Sequence, residues 1–257
     1  MIIHFFGTGA GGSPGSKRFR SSTLFEFDDD RILLVDCGVG CHYRLSDKGL
    51  LTEVDTVFIT HSHIDHFLGL PEFLFQAHLE GRKKELTVYA PRIVGRMIEV
   101  VAPYLYTSLG FKWELKNIEP RTINELGDNK LFFCRACHPT AEEAYALLIQ
   151  TSGGLRIAYS GDTSEPCQDF LECIGGRADV LIHEATCNEN NKDVCYKYGH
   201  TTTMEAVELG EKLGAKLTIL NHIDEYFNST IIQDVARLRL KYRTKILVPN
   251  DLDSIYI

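Results

Sequence analysis

Short apolar runs rich in β-branched and aromatic residues recur along the chain. They are IIHFF (2–6), TLFEF (23–27), ILLVD (32–36), VDTVFIT (54–60), LTVYA (86–90), LFFCRAC (131–137), YALLIQ (145–150), LRIAYS (155–160), DVLIHEA (179–185), LTILNH (217–222) and KILVP (245–249). Their length and near-continuous apolarity predict strands in sheets covered on both faces. Between several of them, apolar residues recur at spacings of three and four, with Ser, Thr or Pro at the start, which predicts helices. The clearest are LPEFLFQAHLE (70–80), PRIVGRMIEVVAPYL (91–105), TTMEAVELGEKLG (202–214) and STIIQDVARLRLKY (229–242). Hairpins come first and strands then alternate with helices, so an α/β layered fold with helices outside packed sheets is the economical arrangement. There is no repeat, low-complexity tract or Pro/Ser linker, and residues 1–257 are expected to form a single domain.

At 257 residues and 44% hydrophobic, the chain can bury a sizeable core. No apolar run approaches the roughly 20 residues a bilayer requires, and the N-terminus MIIHFFGTG lacks the basic start of a signal peptide. A cytoplasmic protein with no membrane association is expected. The eight cysteines are irregularly spaced in a long chain, so most are expected to be reduced thiols. A net charge of −8 argues against a phosphate-tracking surface. The basic runs SKRFR (16–20), GRKK (81–84) and RLRLKYRTK (237–245) are read as solvated faces, the last of them at a helix end, where cations suit the dipole.

Three motifs carry candidate chemistry. GTGAGG (7–12) comes after a strand and fits the dinucleotide pattern G-x-G-x-x-G, but the next residues are SPGSKRFRSS and then another strand, with no helix to receive a pyrophosphate. A glycine-rich loop bordering another kind of site fits better. CRACH (134–138) has the C-x-x-C-H spacing of a haem attachment site, which would make the chain an electron carrier; its place in a strand-like run favours chance adjacency. HSHIDH (61–66) is different in weight. Chance would place those four side chains in one such window in only on the order of one chain in a thousand. Imidazole and carboxylate donors at this density suit Zn²⁺ and related ions. His61 and His63 leave the strand on one face while Asp65 and His66 lie past the bend, a geometry that suits two ions better than one.

HSHIDH resembles the metal motif of the metallo-β-lactamase superfamily. LLVDCG (33–38) resembles that superfamily's strand-end aspartate motif, which gives Asp36 a supporting role. Within it the likeness is to ribonuclease Z and its relatives: the opening FFGTGAGGSPGSKRFRSS, DHFLGLPEFL after the metal motif, HEAT (183–186) and GHTTTMEA (199–206). The sequence departs from that pattern at GVGCHYR (38–44) and at NHI (221–223), and it lacks the basic, tRNA-gripping arm between the third histidine and the bridging aspartate. Positions 138 and 162 are separated by PTAEEAYALLIQTSGGLRIAYSG, one strand hairpin.

The resemblance implies a four-layer αββα metallo-β-lactamase sandwich. It assigns His61, His63 and His138 to one divalent ion, Asp65, His66 and His222 to a second, and Asp162 as the bridge. Zn²⁺ is the expected metal, with Mn²⁺ or iron as alternatives. Asp65 is expected to orient the attacking water, and His200, held by Glu184, to protonate the leaving oxygen. The function expected is a phosphodiesterase acting on small or single-stranded nucleotides, with structured tRNA a doubtful substrate. The alternatives are hydrolysis of a carboxyl ester, lactone or sulfate ester, and a haem or metal protein without hydrolysis. A homodimer is expected by analogy alone. His4, His42, His78 and His183 are left as ordinary residues.

Overall fold

The computed structural model of the chain describes residues 1–257 apart from 13–14 and 106–107. Ser13 and Pro14 of the glycine-rich opening therefore lie outside the described residues. Two compact units are formed by segments that interleave along the chain.

The first unit comprises Met1–Gly11, Phe19–Ile118 and Asn250–Ile257. Its strands are β1 (Ile2–Gly7), β2 (Ser22–Glu26), β3 (Ile32–Val35), β4 (Thr56–Phe58), β5 (Leu86–Ala90) and β6 (Trp113–Asn117). With the C-terminal Ser254–Tyr256 they make a seven-stranded sheet, antiparallel from that strand to β3 and parallel from β3 to β6. Helices α1 (Cys41–Asp47), α2 (Ile64–Phe67), α3 (Leu70–Leu79) and α4 (Arg92–Val101) connect the strands. Leu45, Phe73, Leu74, Val94 and Ile98 of the helices pack with Leu34, Val57 and Val88 of the sheet in one core. Arg82 corrects the solvated reading of GRKK. Its side chain is 1% exposed and its guanidinium donates to the carbonyls of Thr52 (2.8 Å), Val54 (2.5 Å), Lys84 (2.8 Å) and Glu85 (2.9 Å). Burial lowers its pKa to about 10, still far above neutrality.

The second unit comprises Gly12–Arg18 and Glu119–Pro249. Its strands are β7 (Ile123–Leu126), β8 (Asn129–Arg135), β9 (Tyr145–Gln150), β10 (Arg156–Tyr159), β11 (Val180–Glu184), β12 (Leu217–Asn221) and β13 (Lys245–Leu247); the strand at 254–256 is β14. They form a second seven-stranded sheet, antiparallel from β7 to β10 and parallel from β10 to β13. Its helices are α5 (Gln168–Cys173), α6 (Lys192–Tyr198), α7 (Thr203–Lys212) and α8 (Ile231–Leu238). Phe170 of α5 and Leu209 of α7 pack on Ala146, Leu148, Ala158 and Leu181, and α7 and α8 share a further core with Leu220 and Ile246. The interval between His138 and Asp162 is the β9–β10 hairpin, as expected.

All eleven strands read from the pattern are present, and α3, α4, α7 and α8 begin within about two residues of the stretches expected. Among the described residues three strands escaped the pattern, and all three are sheet edges: β6, β7 and β14. An edge strand has fewer neighbours to bury it, so it needs no continuous apolar run. Helices α1, α5 and α6 were also missed; at six or seven residues they are too short for a periodicity to register.

The thiol expectation is overturned. Six of the eight cysteines are paired, as Cys134–Cys173, Cys137–Cys167 and Cys187–Cys195; Cys37 and Cys41 are free and buried. Because β8 stops at Arg135, Cys137 stands beyond the strand and side-chain alternation does not set its direction. The first two disulfides tie both ends of α5 to the segment just before His138. Both cysteines of the C-x-x-C-H spacing are thus engaged.

Candidate metal centre

In the first unit, the metal-motif residues leave the end of β4 and enter α2. Asp36 follows β3 in the left-handed backbone region, φ 61°, a conformation a non-glycine residue keeps only when its surroundings insist. Its fully buried carboxylate accepts from the Thr60 amide (2.8 Å) and hydroxyl (3.0 Å), the Ser21 hydroxyl (3.2 Å) and Nδ1 of His66 (2.7 Å). Nδ1 of His61 pairs with the same Thr60 hydroxyl at 3.0 Å. The rings of His61 and His66 are 4.0 Å apart and those of His61 and His63 are 4.7 Å apart. Asp65 Oδ2 is 3.4 Å from His66 Nε2. A Cβ on Gly11 would come within 2.9 Å of Asp65 Oδ2, so the glycine-rich loop makes room for that carboxylate. Among the described residues no helix follows the loop before α1, which sets aside the dinucleotide reading.

In the second unit, His138, Asp162, Glu184 and His222 each lie at or just past the end of a different strand, while His200 lies between α6 and α7. Parallel register puts Tyr159 beside Ile182 and Glu184 beside Asn221, so the carboxyl ends of β10, β11 and β12 bring Asp162, Glu184 and His222 into one neighbourhood. Loops at the carboxyl ends of parallel strands are where α/β sheets place ligands. His222 also has a left-handed backbone, φ 53°. Ligand atoms of Asp162, His200 and His222 lie within 4.8 Å of one another, with His222 Nε2 3.3 Å from Asp162 Oδ2.

His138 donates from Nδ1 to the Gly199 carbonyl at 2.8 Å, and Thr140 Oγ1 lies 3.1 Å from its Nε2. Gly199 has φ 78°, and a Cβ there would strike Pro139 Cδ at 2.6 Å and His138 Nδ1 at 3.0 Å, so no other residue permits this approach. Burial pushes the His138 pKa down and favours neutral imidazole. His200 lies just ahead of α7, whose start is fixed by a capping box between Thr202 and Glu205. Its Nδ1 is 3.0 Å from Glu184 Oε1. Glu184 also accepts from the amides of Thr163 (2.8 Å) and Thr201 (3.1 Å) and the Thr186 hydroxyl (2.6 Å). Burial raises its pKa, but the adjacent His200, by charge and hydrogen bond, leaves it below the ordinary carboxylate value.

The donor set fits a divalent metal. In His61, His66, His138 and His222 the Nδ1 atom is engaged by a threonine, a carboxylate or a backbone carbonyl. That arrangement orients metal-ligating histidines and turns Nε2 toward the ion. Sequence reasoning named every one of these histidines but missed the threonines around the site: Thr60 on His61, Thr186 on His222, and Thr163 and Thr201, whose amides donate to Glu184. The signal was present in THSHIDH, GDT, HEAT and GHT, where a buried threonine neighbours the ionisable residue.

Comparison with known proteins agrees with this anatomy. The family described as Anti-Pycsar protein Apyc1 matches residues 1–242. The ribonuclease Z of Methanothermobacter thermautotrophicus is 26% identical over 92% of this chain and 91% of its own. Among solved structures, the metallo-β-lactamase fold protein YhfI of Bacillus subtilis superposes with a TM-score of 0.78 at 22% identity, covering 99% of this chain and 98% of its own. The short form of human tRNase Z superposes with a TM-score of 0.77 at 25% identity, covering 100% and 99%. The metallo-β-lactamase fold expected from the sequence, two mixed sheets flanked by helices, is thereby established.

Proposed function

The chain belongs to the Anti-Pycsar protein Apyc1 family, a ribonuclease Z-like branch of the metallo-β-lactamase superfamily, and we propose that it is a metal-dependent phosphodiesterase acting on small or single-stranded nucleotides. The observation that carries this reading is the set of buried histidines whose Nδ1 atoms are all engaged. In this reading His61, His63 and His138 would hold one ion, Asp65, His66 and His222 would hold the second, and Asp162 would serve both. The 257 residues would then work as one hydrolase domain. Zn²⁺ is the proposed metal. Two such ions, when bound, supply Lewis-acid stabilisation of phosphate charge and a water acidic enough to ionise near neutrality.

The chain's own groups do the rest. Asp65 orients the attacking water and accepts its proton. The His200 imidazole, held at Nδ1 by Glu184, presents Nε2 to the leaving oxygen and delivers the proton there. Glu184 keeps that ring in one tautomer and stabilises its protonated form. The substrate is small or unstructured because the β9–β10 hairpin occupies the interval where ribonuclease Z carries its basic arm, and the net charge of −8 offers no substitute.

Among the described residues no helix is long and apolar enough to cross a membrane. The cytoplasmic setting and the homodimer are part of the same proposal, checked by cell fractionation and gel filtration. Disulfides inside cells are a habit of hyperthermophile proteins.

The experiment is metal analysis joined to assays on bis(p-nitrophenyl) phosphate, a carboxyl ester and a precursor tRNA. Two ions per chain, turnover of the diester and negligible, salt-insensitive action on tRNA are expected. Hydrolysis of the ester with an inert diester would replace this reading by the esterase one.

A further inference from the structure

We propose that Thr186 is a positioning residue whose single hydroxyl fixes both the metal-facing ring of His222 and the carboxylate that holds His200. The proposal rests on the metal-dependent reading above. Thr186 stands just beyond β11, is 5% exposed, and carries no charge of its own. Its Oγ1 lies 2.6 Å from Glu184 Oε2, 3.0 Å from His222 Nδ1, 3.2 Å from the His222 carbonyl and 3.3 Å from His200 Nδ1.

A hydroxyl has one proton and two lone pairs, so these four neighbours cannot all be served in the same way. The proton goes to Glu184 Oε2, the nearest acceptor and an ionised one, because charge-assisted O–H···O bonds are the shortest and strongest available. Oγ1 is then an acceptor toward the two imidazole nitrogens, while the His222 carbonyl, itself only an acceptor, loses the competition for the one proton. His222 must donate from Nδ1, which places the ring in the Nδ1–H tautomer and leaves the Nε2 lone pair on the side of Asp162, 3.3 Å away. His200 Nδ1 has the closer and charged partner in Glu184 Oε1 at 3.0 Å, so its proton goes there. Glu184 also accepts from the amides of Thr163 (2.8 Å), Thr201 (3.1 Å) and Thr186 itself (3.4 Å), which help hold the carboxylate in place.

One proton therefore decides two orientations. Remove it while keeping the shape, and Glu184 loses its shortest bond while the His222 ring loses the acceptor that selects its tautomer. Thr186→Val does this with almost no change of volume, whereas Thr186→Ser keeps the hydroxyl. Loss of an outer partner of a metal-ligating histidine costs about 10 to 100-fold in metal affinity.

The test is zinc-binding affinity by competition with a chromophoric chelator on full-length protein, for wild type and both variants. The expected result is that Thr186→Val weakens one of the two zinc sites by about 10 to 100-fold and leaves the other unchanged, while Thr186→Ser stays within about threefold of wild type. Equal affinities in wild type and the folded Val variant would overturn the proposal, as would a Ser variant as weak as Val. Should Val not fold, long-range ¹⁵N spectra of the histidine rings in metal-free wild type decide: a protonated Nδ1 on His222 supports it and a protonated Nε2 overturns it. Wild-type protein that holds no zinc at all overturns the metal reading and this proposal with it; two zinc ions bound equally by wild type and Val overturn the proposal alone.

Discussion

In the first unit the candidate ligands come from one stretch, residues 61–66, and lean on a single carboxylate, Asp36; in the second, His138, Asp162 and His222 come from the ends of three strands. The difference is one of chain distance. A strand end and one bend suffice to gather HSHIDH, while the second set depends on the register of β10, β11 and β12 and on the loops between them. Fixatives are distributed accordingly. All three disulfides lie in the second unit, two of them bracketing α5 and the third joining Cys187 to Cys195 beside the loop that carries His200, whereas the first unit keeps its two thiols free.

Substituting the outer residue of the dispersed set gives the largest expected effect. His200→Ala should keep full metal content and lose about 10² to 10⁴ in rate on diesters with poor leaving groups, with a much smaller loss on p-nitrophenyl substrates. Equal losses on both, with the metal retained, would remove His200 from the acid role.

Reduction of the disulfides is next. Loop closure over the separations of 39 and 8 residues predicts about 4 and about 2.5 kcal/mol of stabilisation from Cys134–Cys173 and Cys187–Cys195. Hydrogen exchange on reduced protein should speed up around α5 and residues 187–203 and leave β2 to β5 at their native rates. Uniform acceleration would show that the disulfides serve the whole chain and not the dispersed set.

A matched substitution in the compact set is gentler. Asp36→Asn keeps the size but weakens the hold on His66, and zinc affinity should fall by about 10 to 100-fold without loss of fold. Chelator competition and a thermal melt measured together separate the two. If the melt collapses while affinity holds, Asp36 is a stability residue only.

The smallest effect expected is a pH slope confined to the second unit. His183 is fully buried; burial pushes its pKa down, but the hydrogen bond and charge of Glu165 outweigh this and raise it. A raised folded pKa means that the stabilisation is complete below the unfolded value of about 6.5 and is lost as pH rises through the folded one. Stability measured from pH 6 upward should decline in wild type and flatten in His183→Gln. An unchanged slope would assign the decline to another group.

Legibility followed the same division. HSHIDH could be read because its donors sit within six positions, and Asp36 because LLVDCG resembles a family motif. His138, Asp162, Glu184, His200 and His222 were reached through that resemblance, since nothing in their spacing announces that β10, β11 and β12 run side by side. Thr186 went unread because threonine is common and its value here lies in four neighbours that the sequence scatters from 184 to 222. The cysteine pairing was misread for a related reason: composition speaks to compartment, whereas pairing depends on whether two thiols are brought to Cα separations near 5.7 Å, as for Cys134 and Cys173.

By itself the sequence determined the strands that are buried on both faces, the longer helices and the metal-grade character of residues 61–66, because apolar periodicity and local donor density are properties of neighbours along the chain. Tertiary structure alone decided the edge strands, the disulfides, the burial of Arg82 among carbonyls and the threonine hydroxyls behind His61 and His222. Those depend on which distant segments share a sheet and in what register, and these are set by packing between residues far apart along the chain.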